Sequence, residues 1–247
     1  MTEAKKNHLH AYLPASTPFN YVIFCCFIIA ISLFSCHEAK SKKTTEDLST
    51  IEQTEDTLTT KAPTKTILCF GDSITAGYGL DDTADAYPGL LQQKVDSLGL
   101  NYTIINSGVS GETTAGGKNR IDWVIKQPVS IFLLELGAND GLRGVPLQET
   151  KSNLQAIIDV VKEKSPDTTI ILAGMELPPN MGQAYTTAFK QLYADLAQKN
   201  TLEFIPFILK DVGGVASLNQ GDGIHPNVKG HKVLAQTVWE VLQPLID

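Results

Sequence analysis

The sequence is poor in cysteine and histidine, and it contains no run of basic residues. Of its 247 residues, 4 are Cys and 5 are His. Cys25, Cys26 and Cys36 lie in or beside one hydrophobic run, so only Cys69 remains in the main body and no disulfide framework is expected. With 27 Asp+Glu against 20 Lys+Arg, the net charge is −7. Nucleic-acid binding needs clustered basic side chains, so nucleic acid is not an expected partner.

The scarcity of histidine also limits the possible catalytic and metal sites. His8, His10 and His37 precede the main body of the chain, which leaves only His225 and His231 within it. Neither has a cysteine nearby, and the H-E-x-x-H pattern is absent, so we expect no zinc site. His231 falls within a helical pattern and is expected at a helix surface or in packing. His225 is therefore the candidate catalytic base.

The apolar run near the N-terminus is short for a membrane anchor and long enough for a secretory signal. Residues 21–34 are uncharged and almost wholly apolar. A spanning helix needs about 20 such residues, whereas a secretory signal needs fewer. The segment Leu33-Phe34-Ser35-Cys36 resembles the cleavage box of bacterial lipoproteins, in which a small residue precedes a cysteine that becomes lipidated. We expect a signal peptide over residues 1–35 and a lipid anchor at Cys36, with a plain signal peptide or an uncleaved anchor as the alternative.

Residues 36–65 are expected to form a disordered tether. From residue 37 to residue 65 the chain contains 8 Thr, 6 Asp or Glu and 5 Lys, with hardly any bulky apolar side chain. Such a segment cannot bury enough apolar surface to offset the loss of chain entropy. The remaining residues, 66–247, have the length of one domain with a sizeable core. With the lipid anchor, the tether would hold this domain at the cell envelope, in the periplasm or at the outer membrane.

Five short apolar runs in the main body predict buried β-strands. They do not alternate apolar with polar residues, which is typical of parallel strands covered on both faces. Between or after them, three segments repeat apolar residues with helical spacing. Strands that alternate with helices predict an α/β fold, a three-layer α/β/α sandwich around a five-stranded parallel sheet. The predicted strands are residues 66–70, 102–105, 131–136, 169–173 and 204–208.

Candidate catalytic residues follow four of these strands. In an open parallel sheet, ligands bind at the carboxyl ends of the strands. The turn after the first strand, GDSITAG, has small residues that let it present the Ser73 hydroxyl as a nucleophile. Gly108 follows the second strand and Asn139 the third. Asp222 lies three residues before His225, a spacing that lets a carboxylate reach and orient the imidazole.

Each of these loops is ambiguous when it is taken alone. GDS is also a good turn sequence, and a glycine after a strand can simply make the turn. Asn139 could cap the next segment or direct its amide at a developing negative charge. Asp72 and Asp140 flank candidate residues and are better explained by turn or capping roles than by catalysis.

Together, the four loops resemble the SGNH hydrolase superfamily, also called GDSL hydrolases. The matching blocks are GDSITAG, Gly108 in NSG, Asn139 in GAND, and DGIH. Within the superfamily, LGANDGLRG (residues 136–144), MELPPNMG (residues 175–182) and DGIHPN are similar to the bacterial arylesterase group. That group includes acyl-CoA thioesterase I, which is also described as a lysophospholipase.

The resemblance implies a serine hydrolase of flavodoxin-like fold that needs no cofactor. In the implied mechanism Ser73 attacks an acyl carbonyl, His225 transfers the proton, and Asp222 orients the ring. The implied oxyanion hole consists of the Ser73 and Gly108 N–H groups and the Asn139 amide. The implied substrates are small acyl esters, thioesters or lysophospholipids, and no oligomeric state is indicated.

Substrate preference and two competing functions are left open at this point. Five residues after the fourth strand could line an apolar groove for an acyl chain or could form a Pro-rich turn packed on the last helices: Leu177, Pro178, Pro179, Met181 and Tyr185. A carbohydrate O-acetyl esterase would use the same scaffold. A flavodoxin-like binding protein would hold a nucleotide or flavin at the same strand ends, but it gives no reason for the Asp222 and His225 pair.

Overall fold

Five strands alternate with seven α-helices along residues 64–246, which are the residues that the structure, a computed structural model, describes. The predicted signal peptide, the Cys36 lipid site and nearly all of the predicted tether lie outside them. The strands are β1 (Lys65–Gly71), β2 (Tyr102–Gly108), β3 (Ile131–Glu135), β4 (Thr169–Ala173) and β5 (Glu203–Ile205). The helices are α1 (Ser73–Ala76), α2 (Tyr87–Ser97), α3 (Thr114–Val124), α4 (Ala138–Leu142), α5 (Leu147–Lys164), α6 (Gln183–Asn200) and α7 (Val228–Leu242).

The sheet has the strand order β2-β1-β3-β4-β5, and every neighbouring pair is parallel. Helix α2 packs against α7, while α5 packs against both α3 and α6. The predicted helical stripes are mostly buried, including Leu154, Ile157, Phe189 and Leu234. The predicted α/β/α sandwich with a five-stranded parallel sheet is therefore confirmed.

Two strands differ from the sequence-based prediction. Strand β2 lies at an edge of the sheet and is not covered on both faces, so Ile105 is 45% exposed. Strand β5 was expected to reach residue 208 but ends at Ile205. Pro206 follows, and a proline has no N–H to continue the ladder. Among the described residues, no helix is long and apolar enough to span a membrane.

The register of the sheet places three strand ends at one level. Gly71 of β1 is the partner of Gly108 in β2 and of Glu135 in β3. A Cβ atom on Gly71 would lie 2.6 Å from the backbone oxygen of Glu135, and one on Gly108 would lie 2.7 Å from the Cα of Ala76. Both positions therefore require glycine, because any side chain would separate α1 from the strand ends.

Candidate active site

The nucleophile candidate, Ser73, is the first residue of α1. Asp72 is the N-cap of this helix, and its Oδ1 atom accepts a hydrogen bond from the Ile74 N–H at 3.0 Å. Gly77 closes the helix in the left-handed conformation (φ 77°), which glycine adopts without strain. Ser73 is 8% exposed, so only a small part of its surface is open to solvent. The short helix thus holds the Ser73 side chain at the carboxyl edge of the sheet.

Asp222 and His225 lie in one turn before α7. Asp222 Oδ1 accepts hydrogen bonds from the N–H groups of Ile224 and His225, at 2.9 and 3.0 Å. The other carboxylate oxygen, Oδ2, lies 2.6 Å from Nδ1 of the His225 ring. These hydrogen bonds lower the pKa of Asp222 to about 2, and the one from the His225 imidazole has the largest effect. The carboxylate therefore stays ionised at any pH near neutrality.

Ser73, His225 and Asp222 form one continuous hydrogen-bonded chain. His225 Nε2 lies 3.0 Å from Ser73 Oγ, although the two residues are 152 positions apart. An ionised carboxylate can only accept hydrogen bonds, so Nδ1 of the neutral imidazole carries the proton. Nε2 is then free to accept the proton of the Ser73 hydroxyl. This is the geometry that a general base needs to activate a serine.

Tyr78 is a site residue that the sequence reasoning missed. Its ring lies 4.7 Å from the His225 ring, centroid to centroid, at an angle of 48°. The Tyr78 carbonyl accepts a hydrogen bond from Gln220 Nε2 at 2.6 Å, which ties the nucleophile loop to the histidine turn. The only signal in the sequence was the position of this aromatic side chain just after GDSITAG.

Two of the three expected oxyanion donors already have partners within the protein. The Gly108 N–H donates to Asn106 Oδ1 at 3.0 Å. Asn139 is not a helix cap, because α4 begins after Gly137. Its amide nitrogen donates to Asp72 Oδ2 at 3.2 Å and to the Glu112 carbonyl at 3.0 Å. The Ser73 N–H lies at the first position of α1, where helix geometry offers no acceptor.

The two aspartates that flank these residues have structural partners. Burial is the main cause that raises the pKa of Asp72 to about 6, although the hydrogen bonds from Ile74 and Asn139 oppose it. Asp140 is buried and accepts the Thr114 N–H, at the first residue of α3, at 2.8 Å. Asp140 thus caps a helix that is distant in sequence. Within residues 64–246, no group of three or more His, Cys, Asp or Glu could hold a metal ion.

An apolar cavity of about 440 Å³ opens beside the nucleophile turn. Leu177, Pro178 and Pro179, three of the five residues expected in a groove, line it. The other two lie elsewhere. Met181 packs against the hydrophobic core, and the Tyr185 hydroxyl donates to the carbonyls of Gly141 and Val145. The remaining wall consists of Ile74, Ala138, Leu142, Met175, Glu176, Phe207, Leu209, Gly213, Gly214, Gly223 and Ile224.

A parallel α/β sheet with a Ser, His and Asp chain at its carboxyl edge has the architecture of a serine hydrolase. The chain matches the GDSL-like Lipase/Acylhydrolase family over residues 69–233. It belongs to this family and is an ester-bond hydrolase, so the resemblance inferred from the sequence is confirmed. A flavodoxin-like binding protein without catalytic activity does not fit this membership.

Several relatives are similar to this chain over about three quarters of its length. Esterase TesA of Pseudomonas aeruginosa is 37% identical over 190 residues, which cover 76% of this chain and 93% of that protein. Thioesterase 1/protease 1/lysophospholipase L1 of Escherichia coli is 35% identical over 187 residues, covering 75% and 87%. The crystal structure of TesA superposes with a TM-score of 0.70 at 36% identity and covers 73% of this chain and 99% of that one.

The hydrogen-bonded chain predicts the tautomers of both histidines in the domain. We expect the neutral His225 ring to carry its proton on Nδ1, which faces Asp222. In His231 the Nδ1 atom accepts the Tyr87 N–H at 3.2 Å, so its proton should be on Nε2. Nitrogen-15 NMR of labelled imidazoles distinguishes the two forms, and His231 is the internal control. A His225 ring protonated on Nε2 would contradict the described geometry.

Proposed function

We propose that the protein is a serine esterase or thioesterase that hydrolyses acyl esters, with Ser73, His225 and Asp222 as its catalytic triad. The observation that carries this proposal is the hydrogen-bonded chain of Ser73, His225 and Asp222. Ile74 and Ile224, which adjoin Ser73 and His225 in sequence, line the apolar cavity. The names of the relatives, which include esterase, thioesterase and lysophospholipase, support the same reaction class.

The geometry supports a two-step acyl transfer. Ser73 Oγ attacks the acyl carbonyl carbon while its proton passes to His225 Nε2. The same proton then passes to the departing alcohol or thiol, which leaves an acyl ester on Ser73. A water molecule attacks this ester, His225 takes the proton of the water and returns it to Ser73 Oγ, and the carboxylic acid leaves. Asp222 keeps the ring oriented and stabilises the transient imidazolium.

The negative oxygen of each tetrahedral intermediate needs hydrogen-bond donors. We assign the Ser73 N–H, the Gly108 N–H and the Asn139 amide to this role. An oxyanion accepts hydrogen bonds more strongly than a neutral carbonyl or amide oxygen. It can therefore compete with Asn106 for the Gly108 N–H and with the Glu112 carbonyl for the Asn139 amide. One donor of this kind typically accounts for about 10²–10³ in turnover.

The apolar cavity supports substrates with an acyl chain, in oxygen esters, thioesters or lysophospholipids. Its walls are largely aliphatic, and Ile74 places one of them beside Ser73. Burial of each methylene group contributes about 0.8 kcal/mol, which corresponds to about fourfold in kcat/KM. The cavity gives little support to the carbohydrate O-acetyl esterase alternative, because a sugar would need several polar partners and Glu176 is the one charged side chain among the described residues of its wall.

Replacing the nucleophile tests the reaction class. We expect Ser73→Ala to abolish ester hydrolysis and to prevent labelling by a fluorophosphonate probe, because the hydroxyl that contacts His225 is removed. Ser152→Ala, on the exposed side of α5, is the matched control and should keep both properties. The readouts are p-nitrophenyl acetate hydrolysis and the mass of the labelled protein. Full activity in Ser73→Ala would refute the proposal.

Chain-length dependence tests the role of the cavity. We expect kcat/KM on p-nitrophenyl esters to rise from acetate to octanoate and to exceed the activity on acetylated xylan. Leu142→Asn, in the cavity wall, should lower the octanoate-to-acetate ratio about tenfold, since it removes apolar contact area. Leu98→Asn, at an exposed leucine that does not line the cavity, should leave the ratio unchanged. Preference for acetylated xylan would favour the carbohydrate alternative instead.

We also propose that the protein is exported and anchored to the cell envelope by a lipid on Cys36. The support is the short apolar run followed by the lipoprotein-like box in the sequence. Membrane and soluble fractions of cells that produce the protein test this directly. Cys36→Ala should move the protein to the soluble fraction, whereas Cys69→Ala should not. Equal membrane association of the Cys36→Ala variant and the unchanged protein would refute lipid anchoring.

A further inference from the structure

A buried carboxyl group that the reaction does not use lies directly behind the nucleophile turn. Glu135, the last residue of β3, is 0% exposed. If Gly71 carried a Cβ atom, it would lie 2.5 Å from Glu135 Oε2, so the carboxyl group packs against the start of the turn. A buried acid at this position needs a physical explanation, because burying a carboxylate without a compensating charge is costly.

The carboxyl group holds both sides of the turn that carries Ser73. Its Oε2 atom accepts the Asp72 N–H at 3.3 Å and lies 2.7 Å from Thr75 Oγ1. Asp72 comes one residue before Ser73, and Thr75 comes two residues after it. One side chain of the sheet therefore bridges the residues that flank the nucleophile.

The surroundings of Glu135 favour a neutral acid, although the Asp72 N–H, the Thr75 hydroxyl and the Thr75 N–H donate hydrogen bonds to it. Its Oε1 atom is buried and has no hydrogen-bond partner among the described residues. The titratable groups that interact electrostatically with Glu135 are all acids. No ion pair within residues 64–246 involves Glu135. These acids are Asp72 before α1, Cys69 on β1, Tyr87 on α2 and Tyr193 on α6.

A single proton on this carboxyl group would reverse the hydrogen bond that the Thr75 hydroxyl donates to an ionised carboxylate, and it would keep the buried chain of hydrogen bonds intact. With the proton on Oε2, Glu135 donates to Thr75 Oγ1, and Thr75 donates to the Tyr87 hydroxyl at 2.8 Å. The remaining oxygen, Oε1, is then an uncharged carbonyl oxygen, which costs much less to leave unpaired than an anionic one. Burial, with the nearby charge of Asp72, raises the pKa of Glu135 well above its usual range, and it outweighs the opposing hydrogen bonds from Thr75 and Asp72.

We propose that Glu135 is a positioning residue for the reaction and that it acts as a neutral carboxylic acid. Through Asp72 and Thr75 it fixes the first turn of α1, and thereby the Ser73 N–H and Oγ. Its neutrality matters because a second buried negative charge beside Asp72 would oppose the oxyanion that forms at the Ser73 N–H. The inference rests on the proposed role of Ser73.

Substitution by glutamine separates a neutral from an ionised role. Glu135→Gln keeps the shape and is uncharged, and its carbonyl oxygen can still accept from the Asp72 N–H and the Thr75 hydroxyl, so we expect its kcat to stay within about threefold. Glu135→Ala, and independently Thr75→Val, should lower kcat about tenfold or more with little change in KM, because the turn loses its support. Thr75→Val keeps the result interpretable if Glu135→Ala does not fold. A glutamine variant as impaired as Glu135→Ala, or normal kcat in both Glu135→Ala and Thr75→Val, would overturn the proposal.

The pH dependence of stability tests the protonation state without reference to catalysis. Because the pKa of Glu135 is higher in the folded than in the unfolded protein, its protonation stabilises the fold. This stabilisation is fully present at pH values below the unfolded-state pKa of about 4.3, and it is lost as the pH rises toward the folded-state pKa. From pH 5 to pH 8, the unfolding constant of the unchanged protein should therefore rise relative to that of Glu135→Gln by up to about tenfold per pH unit. Denaturant titrations measure this ratio.

The exposed Glu240→Gln is the matched control and should show no such trend. A constant ratio between the unchanged protein and Glu135→Gln over this pH range would overturn the neutral state. Because this measurement does not involve hydrolysis, its failure is distinguishable from a failure of the proposed triad, which the Ser73→Ala variant reports.

Discussion

The site depends on the close approach of three strand ends to the first turn of α1. Gly71, Gly108 and Glu135 share one level of the sheet, and neither glycine has room for a Cβ atom. Because the backbone comes this close, the Ser73 turn can rest directly on the sheet edge. Asn106 strengthens the contact from β2, since its amide nitrogen donates to the Thr75 carbonyl at 2.8 Å. Ser73, the proposed nucleophile, is thus held by the sheet and not by a free loop.

The histidine reaches this turn from the other end of the chain, so its own loop must be equally well fixed. Asp222 contributes twice, because one oxygen shapes the turn through two backbone N–H groups while the other orients the ring. Gln220 then joins the two loops through the carbonyls of Tyr78 and Pro226. The distance between Ser73 and His225 therefore depends on a side chain outside the four motif blocks.

Much of this arrangement could be predicted from the sequence, and the rest could not for a physical reason. The sheet could be predicted because apolar strands and helical stripes are local patterns in the sequence. The residues that follow each strand are also a local pattern, and they gave the candidates Ser73, Gly108, Asn139 and His225. The predicted fifth strand was too long, because the prediction did not take into account that Pro206 cannot pair. In contrast, Glu135 looked only like the polar end of an apolar strand. Its contacts depend on the register between β1 and β3, which no local pattern specifies.

The orientation of the Asn139 side-chain amide is determined by the hydrogen-bonding groups that the fold places around it. An amide can turn by half a rotation at little cost, which would exchange its oxygen for its nitrogen. Here the nitrogen faces two acceptors, Asp72 Oδ2 and the Glu112 carbonyl, while the oxygen accepts from Arg143 Nη2 at 3.3 Å. The reversed amide would face acceptors with its oxygen and a guanidinium with its NH₂ group, so it is disfavoured. Asp72 Oδ2 and the Glu112 carbonyl thus keep the donor side of Asn139 turned toward the turn that carries Ser73.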